Sequence, residues 1–136
     1  MSHAICYVST ANPELNDEDI EEVLNWSKNW NNSHQITGIL LYSEGNFFQV
    51  LEGKHDILTD LFQNIRKDKR HHSLIKIFEK EIKKEAFTEY EVDFVSERTK
   101  FNEEALKFYL DSIQNLDATS QKVVENMLNA LIFSNR

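Results

Sequence analysis

The chain has 136 residues, and its 15 Lys and Arg set against 23 Asp and Glu give a net charge of −8. That length supports one domain that buries roughly two-thirds of its unfolded surface without a disulfide or metal staple, while the acidic balance opposes direct nucleic-acid binding, which needs clustered cations to neutralise phosphates. The single cysteine, Cys6, rules out an internal disulfide and suits a reducing compartment; no apolar run nears the ~20 residues of a bilayer span and residues 1–10 do not read as a secretion signal, so no membrane association and a cytoplasmic address are expected.

Residues 3–10 carry β-formers in loose alternation and predict a first strand, broken by Ala11-Asn12-Pro13 because proline fixes φ and removes a donor. Asn16 and Asp17 then cap a helix whose acidic first turn suits the positive end of its dipole. Ile20, Val23, Leu24 and Ser27 give it an inner face, and it fades near Asn31-Asn32. Residues 36–43 and 46–52 are two strand-like runs joined through Ser43-Glu44-Gly45-Asn46, a hairpin turn. A second helix runs from Lys54 to Lys67, with Ile57, Leu58, Leu61, Phe62 and Ile65 at helical spacing. Residues 73–82 and 90–96 predict two more strands, and residues 101–136 two helices with apolar stripes.

Strand, helix, hairpin, helix and two strands make a ferredoxin-like α+β order: βαββαββ, an antiparallel sheet centred on the first strand with two helices on one face. Residues 1–98 form the domain and 99–136 a C-terminal helical extension, expected to cover the open side of the sheet or to make an oligomer or partner contact.

Hydrolytic and metal chemistry find no support. There is no phosphate loop, dinucleotide glycine fingerprint or nucleophile elbow. His71 and His72 are adjacent and face opposite ways on a strand, while His3, His34 and His55 are scattered, so no zinc-like spacing arises. The acidic residues at positions 17–19 and 21–22 make a solvated helix face. What stands out is polar residues inside apolar strands: Gln49 within Phe47-Phe48-Gln49-Val50-Leu51, and Tyr7 beside Cys6 and Val8. A buried glutamine must satisfy two donors and an acceptor, so it joins a network or contacts a ligand, unless it simply points to solvent. The topology allows Tyr7 and Gln49 to meet on neighbouring strands, with Asn31 near the same space if it does more than end its helix. Phenol, amide and asparagine around an apolar slot suit a planar heterocycle with carbonyl and N–H edges.

At these residues the chain resembles the BLUF family, blue-light sensors that use flavin. The likeness spans residues 3–96, strongest from Ile36-Thr37-Gly38-Ile39-Leu40-Leu41-Tyr42 through Gly45-Asn46-Phe47-Phe48-Gln49-Val50-Leu51-Glu52-Gly53. Ile5-Cys6-Tyr7-Val8-Ser9 precedes it, and residues 68–73 follow at the family's distance. The resemblance implies a non-covalent flavin, FAD or else FMN or riboflavin, between the two helices. It makes Tyr7 and Gln49 the photoactive pair and Asn31 the grip on the pyrimidine edge. Ser9, Leu40 and Phe47 would line the ring, and Asp68, Arg70 and His71 its edge and the ribityl-phosphate arm. Light-driven electron and proton transfer from Tyr7 through Gln49 would leave the amide rearranged, giving a small red shift that reverts in the dark.

The chain departs from the family pattern in its last strand. Tyr90 and Val92 stand where a tryptophan and a methionine are common, and Ala86 rather than arginine precedes Phe87. Signal transmission would run through Tyr90 and Val92, and Tyr90, Trp26 and Trp30 are further electron-donor candidates. The reading is a photoreceptor without an enzymatic output in this chain, homo-oligomeric and signalling in trans to a protein partner. A light-insensitive flavin-free interaction module, or a flavin-dependent redox enzyme, is the alternative.

Overall fold

The computed structural model describes residues 2–43, 45–85 and 87–95, together with the isolated helical positions 118, 122 and 126. The elements are β1 (Ser2–Ala11), α1 (Asp17–Ser33), β2 (Thr37–Ser43), β3 (Asn46–Gly53), α2 (His55–Lys67), β4 (His71–Ile82) and β5 (Tyr90–Val95). The expected helices of residues 101–136 lie outside the described residues, those positions apart.

The sheet order is β4-β1-β3-β2-β5. β1 pairs antiparallel with both β3 and β4, and β2 antiparallel with β3. The α+β ferredoxin-like class therefore stands, but not a wholly antiparallel sheet: β5 joins β2 in parallel, with Gly38 opposite Tyr90. The cause is connectivity. β4 occupies one edge, so the chain crosses the end of the sheet to reach the other, and β5 re-enters opposite to β4, in the direction shared by β1 and β2.

Alternation along β1 and β3 sends Ile5, Tyr7, Ala11, Phe47 and Leu51 to one face, where they pack with Ile20 and Leu24 of α1 and Leu58 and Phe62 of α2. The intervening Ala4, Cys6, Phe48 and Val50 are buried as well. Asn16 caps α1: its side chain accepts from the Asp19 N–H, at 2.8 Å, while Asp19 Oδ2 accepts from the Asn16 N–H at 3.0 Å. Gly38 lies between β3 and β5 at φ +140°, and a Cβ there would stand 1.9 Å from the Val50 carbonyl oxygen. Only glycine permits that conformation and approach. Two register irregularities between β1 and β4 fall just before Tyr7, at Cys6/Tyr7, and at Ser9, between Val8 and Thr10; such bulges re-aim side chains beside sites.

Candidate functional site

Between α1 and α2, above the sheet, lies a cleft of about 690 Å³, a volume that includes the open solvent at its mouth. Its floor is Tyr7 of β1, Leu40 of β2 and Phe47 and Gln49 of β3; α1 supplies Val23, Trp26, Ser27, Trp30 and Asn31, and α2 supplies Leu61, Asn64 and Ile65. Asp68, Arg70 and His71, at and just after the C-terminal end of α2, close one side.

At the inner end runs a chain of hydrogen bonds. Tyr7 and Gln49 are register partners across β1 and β3, and the Tyr7 hydroxyl donates to Gln49 Oε1. Gln49 Nε2 donates to the hydroxyl of Tyr90, to which the Asn31 side chain also bonds. The amide of Gln49 is thus held between two phenols, either of which can donate or accept. All four side chains are buried. Burial pushes the Tyr7 phenol far up, with the neighbouring Tyr90 adding to it; burial also raises Tyr90, opposed by its bonds from Gln49 and Asn31. Both phenols are neutral at physiological pH, Tyr7 donating to Gln49 and Tyr90 accepting from it.

Asn31 Oδ1 is buried and has no hydrogen-bond partner among the described residues. An orphaned acceptor of this kind costs free energy unless a ligand N–H meets it. It stands at the wall of a slot whose other surfaces are largely aromatic and aliphatic, so the residues present fit a flat heterocycle with an imide-like N–H edge, as flavin has.

Ser9 is buried and bonds to His71, whose Nδ1 lies 2.7 Å from Ser9 Oγ and whose Nε2 lies 2.5 Å from the Ile65 carbonyl. The carbonyl can only accept, so Nε2 carries a proton, and in the neutral ring Nδ1 accepts from the serine. Arg70 grips Asp68 through Nε, 3.0 Å from each carboxylate oxygen, and Nη2, 2.5 Å from Oδ2. These bonds hold the Asp68 carboxyl below its ordinary range. Of the residues expected to transmit a signal, Tyr90 touches Gln49 directly, and Val92 packs against the core.

Three features escaped sequence reasoning. Asn32, read as a helix stop, forms a two-way clamp on β5: its Nδ2 donates to the Tyr90 carbonyl at 3.1 Å, and its Oδ1 accepts from the Tyr90 N–H at 2.9 Å. Asn64 of α2 lines the cleft. Glu52, buried, accepts from Thr37 Oγ1 at 2.8 Å and from the Phe87 N–H at 3.1 Å, tying the segment before β5 to β3. Two histidines that read as scattered also meet: His3, His55 and Glu79 bring donor atoms within 4.8 Å of one another, with Lys76 Nζ 2.7 Å from Glu79 Oε1 already neutralising the carboxylate.

A split-βαβ sheet with two helices enclosing a flat apolar slot, and an amide held between buried phenols at its inner end, defines a domain for an aromatic ligand with a polar edge. Comparison with known proteins gives that class a family. The chain belongs to the BLUF family, sensors of blue-light using FAD, which matches residues 3–93. It is 31% identical over 83 residues to photoactivated adenylate cyclase subunit beta of Euglena longa, covering 61% of this chain and 10% of that protein. Among solved structures, the photo-activated state of BlsA superposes with a TM-score of 0.69 at 27% identity, covering 97% of this chain and 95% of that one. Klebsiella pneumoniae BlrP1 with FMN and cyclic diGMP gives 0.75 at 24% identity, covering 98% of this chain and 36% of that one. The chain spans about a tenth of the length of the curated relatives it matches. No described helix is long and apolar enough to cross a membrane.

Proposed function

We propose that the chain is a blue-light photoreceptor that holds FAD non-covalently in the cleft between α1 and α2 and switches by rearranging the Gln49 amide. The observation that carries this reading is the hydrogen-bond chain Tyr7–Gln49–Tyr90–Asn31 ending in an unpartnered, buried Asn31 Oδ1. Bound flavin supplies blue-light absorption and a strong excited-state oxidant. Asn31 Oδ1 would accept from its imide N–H, Leu40, Phe47 and Ile65 would pack its ring and exclude water, and Arg70 and His71 would hold its ribityl-phosphate arm. FMN or riboflavin would meet the same inner contacts.

Tyr7 is the electron and proton donor, because its hydroxyl already donates to Gln49 Oε1. Gln49 is the switch because one rotor carries both a donor and an acceptor, and Tyr90 can answer either orientation. A rearranged amide changes its bond to Tyr90, whose backbone is clamped by Asn32 and pairs beside Gly38. Light thereby reaches β5 and, through it, the residues that follow. The output is a change in contact with a protein partner or a second copy of the chain, and the site of action is the cytoplasm.

The test is photochemistry in two variants. Tyr7→Phe keeps the aromatic wall and binds flavin, but loses the reversible red shift. Conversely, a Tyr7→Phe protein that cycles like the wild type contradicts the assignment. Flavin that binds wild type yet never shifts identifies a light-insensitive module instead.

A further inference from the structure

β1 ends beside Arg70, whose carbonyl accepts from the Asn12 N–H, and it starts at the opposite end of the sheet, where His3 is the register partner of Gly53, the last residue of β3. From Gly53 the chain turns through Lys54 into α2, whose first residue is His55. On its other side β1 pairs with β4, where Ile5 lies opposite Glu79. Three elements distant in sequence therefore deliver His3, His55 and Glu79 to one corner of the sheet, with a ligand atom of each within 4.8 Å of the other two. We propose that these side chains form a binding site for a divalent transition-metal ion of the zinc class, which clamps the start of α2 to β1 and to the edge strand β4. The site goes beyond the flavin reading and does not depend on it, since the residues that α2 gives to the cleft begin only at Leu61.

The donor set selects the ion. Two imidazoles and one carboxylate suit borderline ions such as Zn²⁺, whereas Mg²⁺ and Ca²⁺ take oxygen ligands. The geometry is close to what such an ion needs. His3 Nε2 lies 2.9 Å from Glu79 Oε2, and the ligands of a tetrahedral Zn²⁺ stand about 3.3 Å apart when each bond is about 2.0–2.1 Å. This pair is thus nearly in place. The His55 ring meets His3 edge-on, with centroids 4.7 Å apart and 82° between planes. Its side chain is 63% exposed, and its bond from Nδ1 to Asp56 Oδ1, at 3.2 Å, is to a fully exposed carboxylate. Such a contact is worth little, so rotation of His55 closes the remaining gap cheaply.

A carboxylate only accepts, so the neutral His3 ring carries its proton on Nε2 in the metal-free chain; binding shifts that proton to Nδ1 and turns the freed lone pair to the metal. Lys76 then has two effects on Glu79. Its Nζ, 2.7 Å from Oε1, fixes the carboxylate and leaves Oε2 for the ion, as hydrogen bonds commonly do for ligating carboxylates. Its charge also repels a cation, so removing that charge strengthens the site. Water completes the coordination of a three-ligand site.

Calorimetric titration of the flavin-loaded, untagged chain with Zn²⁺ tests the proposal. The expected result is one ion per chain, with affinity at least about 10-fold lower in His3→Ala, His55→Ala and Glu79→Gln. Affinity rises in Lys76→Gln and is unchanged in His72→Ala, an exposed histidine of β4 outside the cluster. Saturating Zn²⁺ also raises the melting temperature of the wild type by several degrees, as any ligand specific to the folded state does. It leaves that of His55→Ala unmoved, although this exposed variant melts like the wild type in EDTA. Absence of saturable Zn²⁺ binding, binding that survives in His55→Ala and Glu79→Gln, or binding lost in His72→Ala overturns the metal site. The flavin reading stands in each of those cases, because its own test is the photocycle.

Discussion

Gln49 is a buried amide in a strand that otherwise buries hydrocarbon, and its two neighbours explain why it is tolerated. Tyr7 satisfies its oxygen and Tyr90 accepts from its nitrogen. Gln49→Leu fills the space but strips Tyr7 of its acceptor inside the core, a cost of about 1–3 kcal/mol. The expected outcome is a melting temperature lowered by several degrees together with complete loss of the light-induced spectral shift; a variant that melts like the wild type contradicts the network. Asn31 makes a sharper prediction about binding. Asn31→Ala removes the unpartnered Oδ1 together with the bond to Tyr90, so flavin affinity falls 10- to 100-fold in equilibrium titration. The meeting of Tyr7 and Gln49 was readable in the sequence, because polar residues in apolar strands demand partners, whereas the role of Asn31, on a helix, came only from the family resemblance. Asn64 and Asn32 were not readable: each sits on a helix, where an asparagine reads as surface or as a stop, and only tertiary placement shows what it touches.

At the scale of elements, the turn at Gly45 and the capping residue Asn16 made the hairpin and the start of α1 readable, since both depend on local chemistry alone. The direction of β5 was hidden because it depends on which edge β4 takes, a choice made by the whole sheet. Gly38 shows how tightly the consequence is enforced. It is opposite Leu51 of β3 and Tyr90 of β5, and its N–H donates to the Glu89 carbonyl at 3.2 Å. In Gly38→Ala the methyl group collides with the Val50 carbonyl at a φ that L-residues rarely adopt, costing ~3 kcal/mol or more. Chemical denaturation reads this as a lowered midpoint, with a weakened flavin spectrum because Leu40, two residues on, lines the cleft. An alanine variant of undiminished midpoint contradicts the close β2–β3 approach.

For the whole molecule, the buried titratable groups set the response to alkali. Burial raises Cys6, Tyr7 and Tyr90, so each keeps its proton in the folded chain to a higher pH than in the unfolded one. Their contribution is fully present below the unfolded values, about 8.5 for cysteine and 10 for tyrosine, and is lost as pH rises beyond them. Asp68 and Glu79 have the opposite sign: Arg70 lowers the first, and Lys76 with His3 the second. Their support is complete above the usual carboxylate range, about pH 4, and lost as pH falls through their folded values. Thermal melts from pH 3 to 11 are expected to show a plateau through neutrality with a decline at both ends. A melting temperature still rising above pH 10 contradicts the buried, protonated phenols.

The same phenols supply the most direct measurement of the central claim, an absorption series on the flavin-loaded protein in the dark, under blue light and during recovery. Hydrogen bonding altered by about 1 kcal/mol, against roughly 63 kcal/mol in a 450 nm photon, moves the flavin band by on the order of ten nanometres. The account predicts a red shift of that size with the flavin still oxidised, returning fully in darkness. Lasting bleaching of the band, or a bound flavin whose spectrum ignores light, contradicts it.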